Sequence, residues 1–423
     1  MKRRDFFMAA AVAGSSGMLL ADAPAKAAPV VGGGLPKAKV TRIRYYRSPT
    51  DAAGRPAVHT STINQSTNVV VVETDQGLVG IGEGGSADIM EQCATQLIGK
   101  DPFRTERLWQ TMFRGYFYPA GREKTHAIGA LDVALWDLKA KALGLPLYQL
   151  LGGKSRDHVE CYATGFAIPG QPNASHGERA RACVEAGFRA YRLHDPGLGR
   201  TFDRFEQVPR IAAICKEIRD AVGKDGAWAI DYHGEFDLTD AVKLSEAIQH
   251  LGPYFCEDLL RSEDVEGYKT LRKMVKVPIA LGEVFSDKWQ WTTAIENDLI
   301  DYARLTVPNV GGVTEFMKIA AMCEAHFIGL IPHFTGPISE ATLVHCVAST
   351  SGPALMEMAG GGRREWPYLK QGYDFKDGKL WINDRPGHGV EVDTSKLQLI
   401  GDYKEAYTAI PTLDRPDGSY TNW

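Results

Sequence analysis

At 423 residues the chain is long enough for two domains, or for one large barrel with a smaller domain attached. A net charge of −4 with 24% charged residues, and no basic block or stripe, lacks the electrostatic footprint of a nucleic-acid binder. The composition is that of a soluble enzyme or small-molecule binder.

The chain opens with Lys2-Arg3-Arg4-Asp5-Phe6-Phe7, an apolar, small-residue run to Leu20, and Ala25-Lys26-Ala27. A charged n-region, an h-region and an A-x-A site form a cleavable signal. The arginine pair makes it similar to a twin-arginine export signal, over residues 1–27, with Ala28 the first mature residue. A periplasmic location and a dependence on the export machinery follow as expectations. No other segment approaches the roughly 18 apolar residues of a membrane span. The seven cysteines are scattered and contain no C-x-x-C, so they are expected as core thiols without disulfides.

Residues 28–157 read as an α+β capping domain. Residues 40–46 alternate, and Asp75-Gln76-Gly77 sits between two β-rich runs as a hairpin turn. Helical spacing follows over 86–98 and 103–113. Residues 115–122 form an aromatic, glycine-bounded loop, and 126–143 an amphipathic helix closed by Gly144.

From His158 the rhythm becomes strand-helix-strand. Strands are expected at 159–163, 189–194, 228–233, 254–257, 279–283, 302–307, 329–333 and 354–358, with helices such as 204–222, 239–250, 265–275 and 312–326 between them. Eight such strands predict an α/β fold, a closed (β/α)7-8 TIM-like barrel over residues 158–360. An open dinucleotide-binding sheet would want a G-x-G-x-x-G turn, which the chain lacks in that context. Residues 361–423 are expected to return to the capping domain and complete it.

Three of the predicted strands end in carboxylates at equal spacing: Asp231, Glu257 and Glu283, each 26 residues after the last. Parallel strands point their C-termini to one mouth, so these carboxylates converge, and a hard divalent ion is the usual remedy for their repulsion. Other strand ends add Arg192 and His194, His233, Arg304 and Thr306, His333 and Glu357. Alternation puts Arg192 with His194, and Asp231 with His233, on shared faces. Three histidines in such a ring supply candidates for acid and base. Asp258 is expected to cap the helix that follows it.

With Gly129-Ala130-Leu131-Asp132-Val133-Ala134-Leu135-Trp136-Asp137-Leu138-Lys139, Leu150-Leu151-Gly152-Gly153 and Val310-Gly311-Gly312-Val313-Thr314-Glu315, these residues carry a family resemblance. Over about residues 38–395 the chain resembles the enolase superfamily, in its mandelate racemase/muconate lactonizing branch, and within it the galactonate- and mannonate-type dehydratases. The resemblance implies one Mg²⁺ per subunit, with Mn²⁺ a possible substitute, on Asp231, Glu257 and Glu283. It implies abstraction of the proton α to a carboxylate, with His233 as the acid helping hydroxide leave and His333 as base. It also implies a substrate site that includes Glu357, the capping-domain residues Tyr118 and Arg122, and a homo-oligomer, dimer to octamer.

Two positions depart from the family pattern. Lys-x-Lys of many relatives is Arg192-Leu193-His194 here, and the aspartate that orients the seventh-strand histidine is Thr306. Arginine is too basic to be a general base, so Arg192, with Arg304 and Thr306, is expected to bind substrate, while His194 competes with His333 as base. Three functions stay open: dehydration of a sugar acid to a 2-keto-3-deoxy acid, racemisation, epimerisation or cycloisomerisation through the same intermediate, and a non-catalytic exported sugar-acid binder.

Overall fold

The structure, a computed structural model, describes residues 34–48, 66–115, 118, 120–194, 204–361, 366–407 and 414–421. The export signal read at 1–27, residues 49–65 and part of the 115–122 loop lie outside the described residues.

The first domain holds β1 (Val40–Arg47), β2 (Val69–Thr74), β3 (Val79–Glu83), α1 (Ala87–Ala94), α2 (Thr105–Arg114), α3 (Arg122–Leu143) and the short α4 (Leu147–Leu150). Val69-Val70-Val71-Val72 shows no polar alternation because its sheet is covered on both faces. Val70 and Val72 pack with Ile43, Tyr45 and Leu131 in the capping core, while Val69, Val71 and Tyr46 join the core shared with the barrel. A register shift between Tyr45 and Tyr46 accompanies the burial of both tyrosines.

Helix α3 is wedged between this sheet and the barrel. A Cβ on Gly82 would stand 2.0 Å from the Ala130 carbonyl, and one on Gly129 would stand 2.1 Å from the Pro308 carbonyl. Glycine on both sides lets α3 touch sheet and barrel backbone at once. Its Asp132 accepts from Thr314 N (2.9 Å) and Thr314 Oγ1 (2.6 Å) on the barrel side, and Asp137 accepts from Ile81 N (2.9 Å) on the sheet side. Those contacts account for the acidic residues of the Gly129–Lys139 stretch.

The barrel follows as β4 (His158–Thr164), α5 (His176–Glu185), β5 (Ala190–Leu193), α6 (Arg204–Val222), β6 (Ala227–Asp231), α7 (Leu238–Ile248), β7 (Cys256–Glu257), α8 (Gly267–Met274), β8 (Ile279–Leu281), α9 (Lys288–Glu296), β9 (Tyr302–Ala303), α10 (Val313–Ala325), β10 (Gly329–Leu330), α11 (Pro337–Ala348) and β11 (Met356–Ala359). Neighbours pair in parallel from β4 to β10; β11 pairs with β4, and a bridge from Leu330 to Ala354 closes the ring. Among the described residues, eight strands and the seven α-helices between them make a closed α/β barrel.

Several strands stop short of the ranges expected from sequence. β5, β6, β8 and β10 end at Leu193, Asp231, Leu281 and Leu330, so His194, His233, Glu283 and His333 lie just past the ladder. There the backbone turns away; His233 has φ 52° and Asp258 φ 44°.

The C-terminal segment carries β12 (Leu369–Gln371), β13 (Asp374–Lys376), β14 (Lys379–Trp381), β15 (Glu391–Val392) and β16 (Gln398–Tyr403). β16 pairs antiparallel with β1, giving the capping sheet the order β16-β1-β2-β3. All seven cysteines are buried and unbridged. Among the described residues no helix is long and apolar enough to cross a membrane.

Candidate active site

A cavity of about 640 Å³ opens at the C-terminal ends of the barrel strands. The barrel lines it with Arg192, His194, Asp231, His233, Glu283 and His333; the capping domain adds Arg122 and His126, one turn apart on α3. His126 escaped the sequence reading. The available signal was its i,i+4 spacing from Arg122, which puts both on one helix face.

Beneath the cavity lies a buried charge cluster built on two arginines. Arg192 Nη1 bonds Glu257 and lies 3.2 Å from Asp231, while its Nη2 reaches Glu357 at 2.9 Å. Arg304 reaches Glu257 through Nε, Glu357 at 2.6 Å and Glu283 at 3.2 Å through Nη2, and Tyr162 through Nη1. Each guanidinium thus spans carboxylates from several strands, a task its fork of donors suits.

Four residues expected to bind substrate, Arg304, Glu357, Thr306 and Tyr118, do not line the cavity. Arg304, Glu357 and Thr306 are fully buried. Both Glu357 oxygens are occupied by arginine, and Thr164 donates to one of them. Arg192 does line the cavity, but it is 2% exposed and committed to carboxylates. Thr306 Oγ1 makes no hydrogen bond, so it does not orient His333. Tyr118 is 79% exposed and is not part of the cavity wall, whereas Arg122 is.

Asp258 is corrected as well. Helix α8 starts nine residues later, with Glu266 before its first turn, so Asp258 caps nothing there. Its left-handed backbone instead brings the carboxylate to the same cluster as Glu257: oxygens of Glu257, Asp258 and Glu283 lie within 4.8 Å of one another.

The histidines stand around the acids. His333 Nε2 is 3.4 Å from Glu283 Oε2, His233 Nε2 is 3.8 Å from Glu283 Oε1, and His194 Nδ1 is 4.0 Å from Asp231 Oδ2. The rings of His194 and His233 meet edge to face, centroids 5.9 Å apart. Burial lowers the pKa of His333, against the pull of Glu283, while Asp231 raises that of His194. Burial pushes Glu257 and Asp258 well above the usual carboxylate range. At Glu283 the upward push of burial is outweighed by His333, Arg304 and Arg192, which hold it at about 2.

The donor set fits a hard divalent cation. Among the described residues, two guanidinium groups, Arg192 and Arg304, pair with Asp231, Glu257, Glu283 and Glu357 at this floor, and Asp258 adds a fifth carboxylate. Asp258 Oδ1 is buried and accepts no hydrogen bond, whereas Asp231 Oδ2 has Arg192 at 3.2 Å. Unsatisfied buried carboxylate oxygens are costly, and a cation with oxygen preference removes that cost.

Residues 176–396 match the family described as Enolase C-terminal domain-like, and residues 43–152 the Mandelate racemase / muconate lactonizing enzyme, N-terminal domain. The chain belongs to the enolase superfamily. Members of the superfamily bind Mg²⁺. This enolase-superfamily chain is 33% identical over 417 residues to a D-galactonate dehydratase family member of Streptomyces bingchenggensis, covering 87% of this chain and all of that one. It is 30% identical over 387 residues to a D-mannonate dehydratase of Novosphingobium aromaticivorans, covering 83% and 95%. A crystal structure of an enolase-superfamily member from Salmonella Typhimurium superposes with a TM-score of 0.79 at 25% identity, covering 87% of this chain and 100% of that one. Homologues of this chain are named D-galactonate and D-mannonate dehydratases, that is, hydro-lyases.

Proposed function

We propose that the chain is a Mg²⁺-dependent dehydratase that converts a sugar acid to a 2-keto-3-deoxy acid. The observation that carries this reading is the placement of His333 and His233 on the two oxygens of Glu283, at 3.4 and 3.8 Å, in one cavity beside the acidic floor. Mg²⁺ held by Glu257, Glu283 and Asp231 would supply the positive charge that offsets the second negative charge developing as the α-proton leaves.

His333, 7% exposed, takes the proton from C2, since burial lowers its pKa and keeps the imidazole neutral and able to accept a proton. Its Nε2 then carries the proton, and Glu283 beside it stabilises the imidazolium. His233, with its side chain 57% exposed at the cavity mouth, gives a proton to the C3 hydroxyl as the C3–O bond breaks. Water leaves, and the enol at C2 becomes the ketone. Arg122 and His126 face the same space from the capping domain and meet the far end of a polyhydroxy acid. In this proposal the mature chain works in the periplasm, after removal of residues 1–27.

His194 lines the same cavity, and that favours one second reading: proton return to carbon by His194, giving racemisation or epimerisation instead of water loss. Incubation with aldonic and uronic acids and Mg²⁺ in D₂O separates the outcomes. Keto-acid formation supports dehydration; deuterated acid without keto product supports the second reading. No deuterium uptake and no product from any acid would sink both and leave a sugar-acid binder.

A further inference from the structure

We propose that Asp258 is a fourth carboxylate of the cation site, beside Asp231, Glu257 and Glu283, and closest to the last two. The proposal rests on the metal-dependent reading above and extends it to a residue that the strand-end pattern leaves out.

Alternation along a strand would send Asp258 to the face opposite Glu257. The left-handed backbone at Asp258 (φ 44°) cancels that alternation, and two hydrogen bonds fix it: Asp258 N donates to the Ala280 carbonyl at 3.1 Å, and Gly234 N donates to the Asp258 carbonyl at 2.8 Å. The side chain is therefore held between the loop after β6 and the end of β8, with oxygens of Glu257 and Glu283 within 4.8 Å.

Two further facts point to a ligand. Asp258 is 5% exposed, and its Oδ1 is buried without a hydrogen-bond donor. Donors stand close by, yet they are committed elsewhere: Arg192 to Asp231, Glu257 and Glu357, and Arg304 to Glu257, Glu283, Glu357 and Tyr162. A buried carboxylate that has an oxygen without a donor and stands beside two other carboxylates is satisfied by a shared cation. Asp231 is placed differently. Its Oδ1 accepts from His233 N at 2.7 Å, its Oδ2 lies 3.2 Å from Arg192, and it is not part of the three-residue cluster.

The test is Mg²⁺ and Mn²⁺ titration of the full mature chain by calorimetry, comparing wild type, Asp258→Asn and Glu257→Gln. Asp258→Asn is expected to weaken Mg²⁺ binding at least tenfold. Without metal, it should unfold in urea no earlier than wild type, because a neutral amide costs no more to bury there than the carboxyl it replaces. Unchanged Mg²⁺ affinity in Asp258→Asn overturns the proposal, as does weakened binding that merely tracks a less stable metal-free fold. If wild type itself takes up neither ion, the metal-dependent function falls with it. If wild type binds and Asp258→Asn binds equally, only the role of Asp258 falls.

Discussion

Arg192 Nη1 lies 3.2 Å from Asp231 Oδ2, so a protein cation already stands against one of the carboxylates expected to hold metal. The same guanidinium ties Asp231, on the third barrel strand, to Glu257 on the fourth and Glu357 on the eighth. Removing it strands three buried acids. Arg192→Met is expected to cost about 3–5 kcal/mol in metal-free urea unfolding. Saturating Mg²⁺ should recover more stability in this variant than in wild type, since an added cation relieves the same repulsion. Equal Mg²⁺ stabilisation of both proteins would mean that arginine and metal do not share these carboxylates.

His233 and His333 flank one carboxylate but have separate tasks. His233→Asn is expected to lower keto-acid formation by about 10²–10⁴-fold while leaving deuterium exchange at C2 measurable by NMR. His333→Asn should lose both signals. Full turnover in His233→Asn would remove the acid from the mechanism.

Glu83 joins the two domains. Its Oε2 accepts from Ser339 N at 2.8 Å, in the first turn of α11, while Oε1 accepts nothing. Burial pushes its carboxyl up to about 8, from an ordinary value of 4.5. The native state therefore keeps a proton that the unfolded chain releases. The associated stability is complete below pH 4.5 and is lost as pH rises through 8, with a slope of at most about 1.4 kcal/mol per unit. Glu83→Gln should flatten this part of the stability curve and be more stable than wild type above pH 8. Urea unfolding at pH 6, 7 and 8.5 gives the comparison; parallel curves would show that Glu83 is already ionised in the folded protein.

Gly129 sets the approach of α3 to the barrel. An alanine Cβ there would stand 2.1 Å from the Pro308 carbonyl, so backbone must move. Gly129→Ala is expected to destabilise by about 1–3 kcal/mol. Since α3 also carries Arg122 and His126 to the cavity, KM for the acid should rise more than kcat falls. A stability loss with unchanged KM would separate the helix's packing from its part in the site.

Much of the architecture was legible because strand-helix rhythm and strand-end polarity are local signals. The break near His158 marks where β4 begins, and the helix that opens it all to the barrel, α3, was readable from residue 126 though it starts at Arg122. The strand ends at His194, His233, Glu283 and His333 were read too long, because residues that reach into a cavity leave the ladder that periodicity detects.

That Asp231, Glu257 and Glu283 come to the same end of the barrel follows from the chain alone. Equal spacing on parallel strands puts them there whatever the packing around them. Tertiary structure alone decided what stands among them. Alternation tells which face a side chain takes, never how deep it lies, so Arg304, Glu357 and Thr306 looked like substrate contacts until barrel closure buried them. It also fails where the backbone turns left-handed, which is how Asp258 came to share a cluster with Glu257. And the entry of His126 into the cavity depends on docking one domain against another, a contact between residues far apart in the chain.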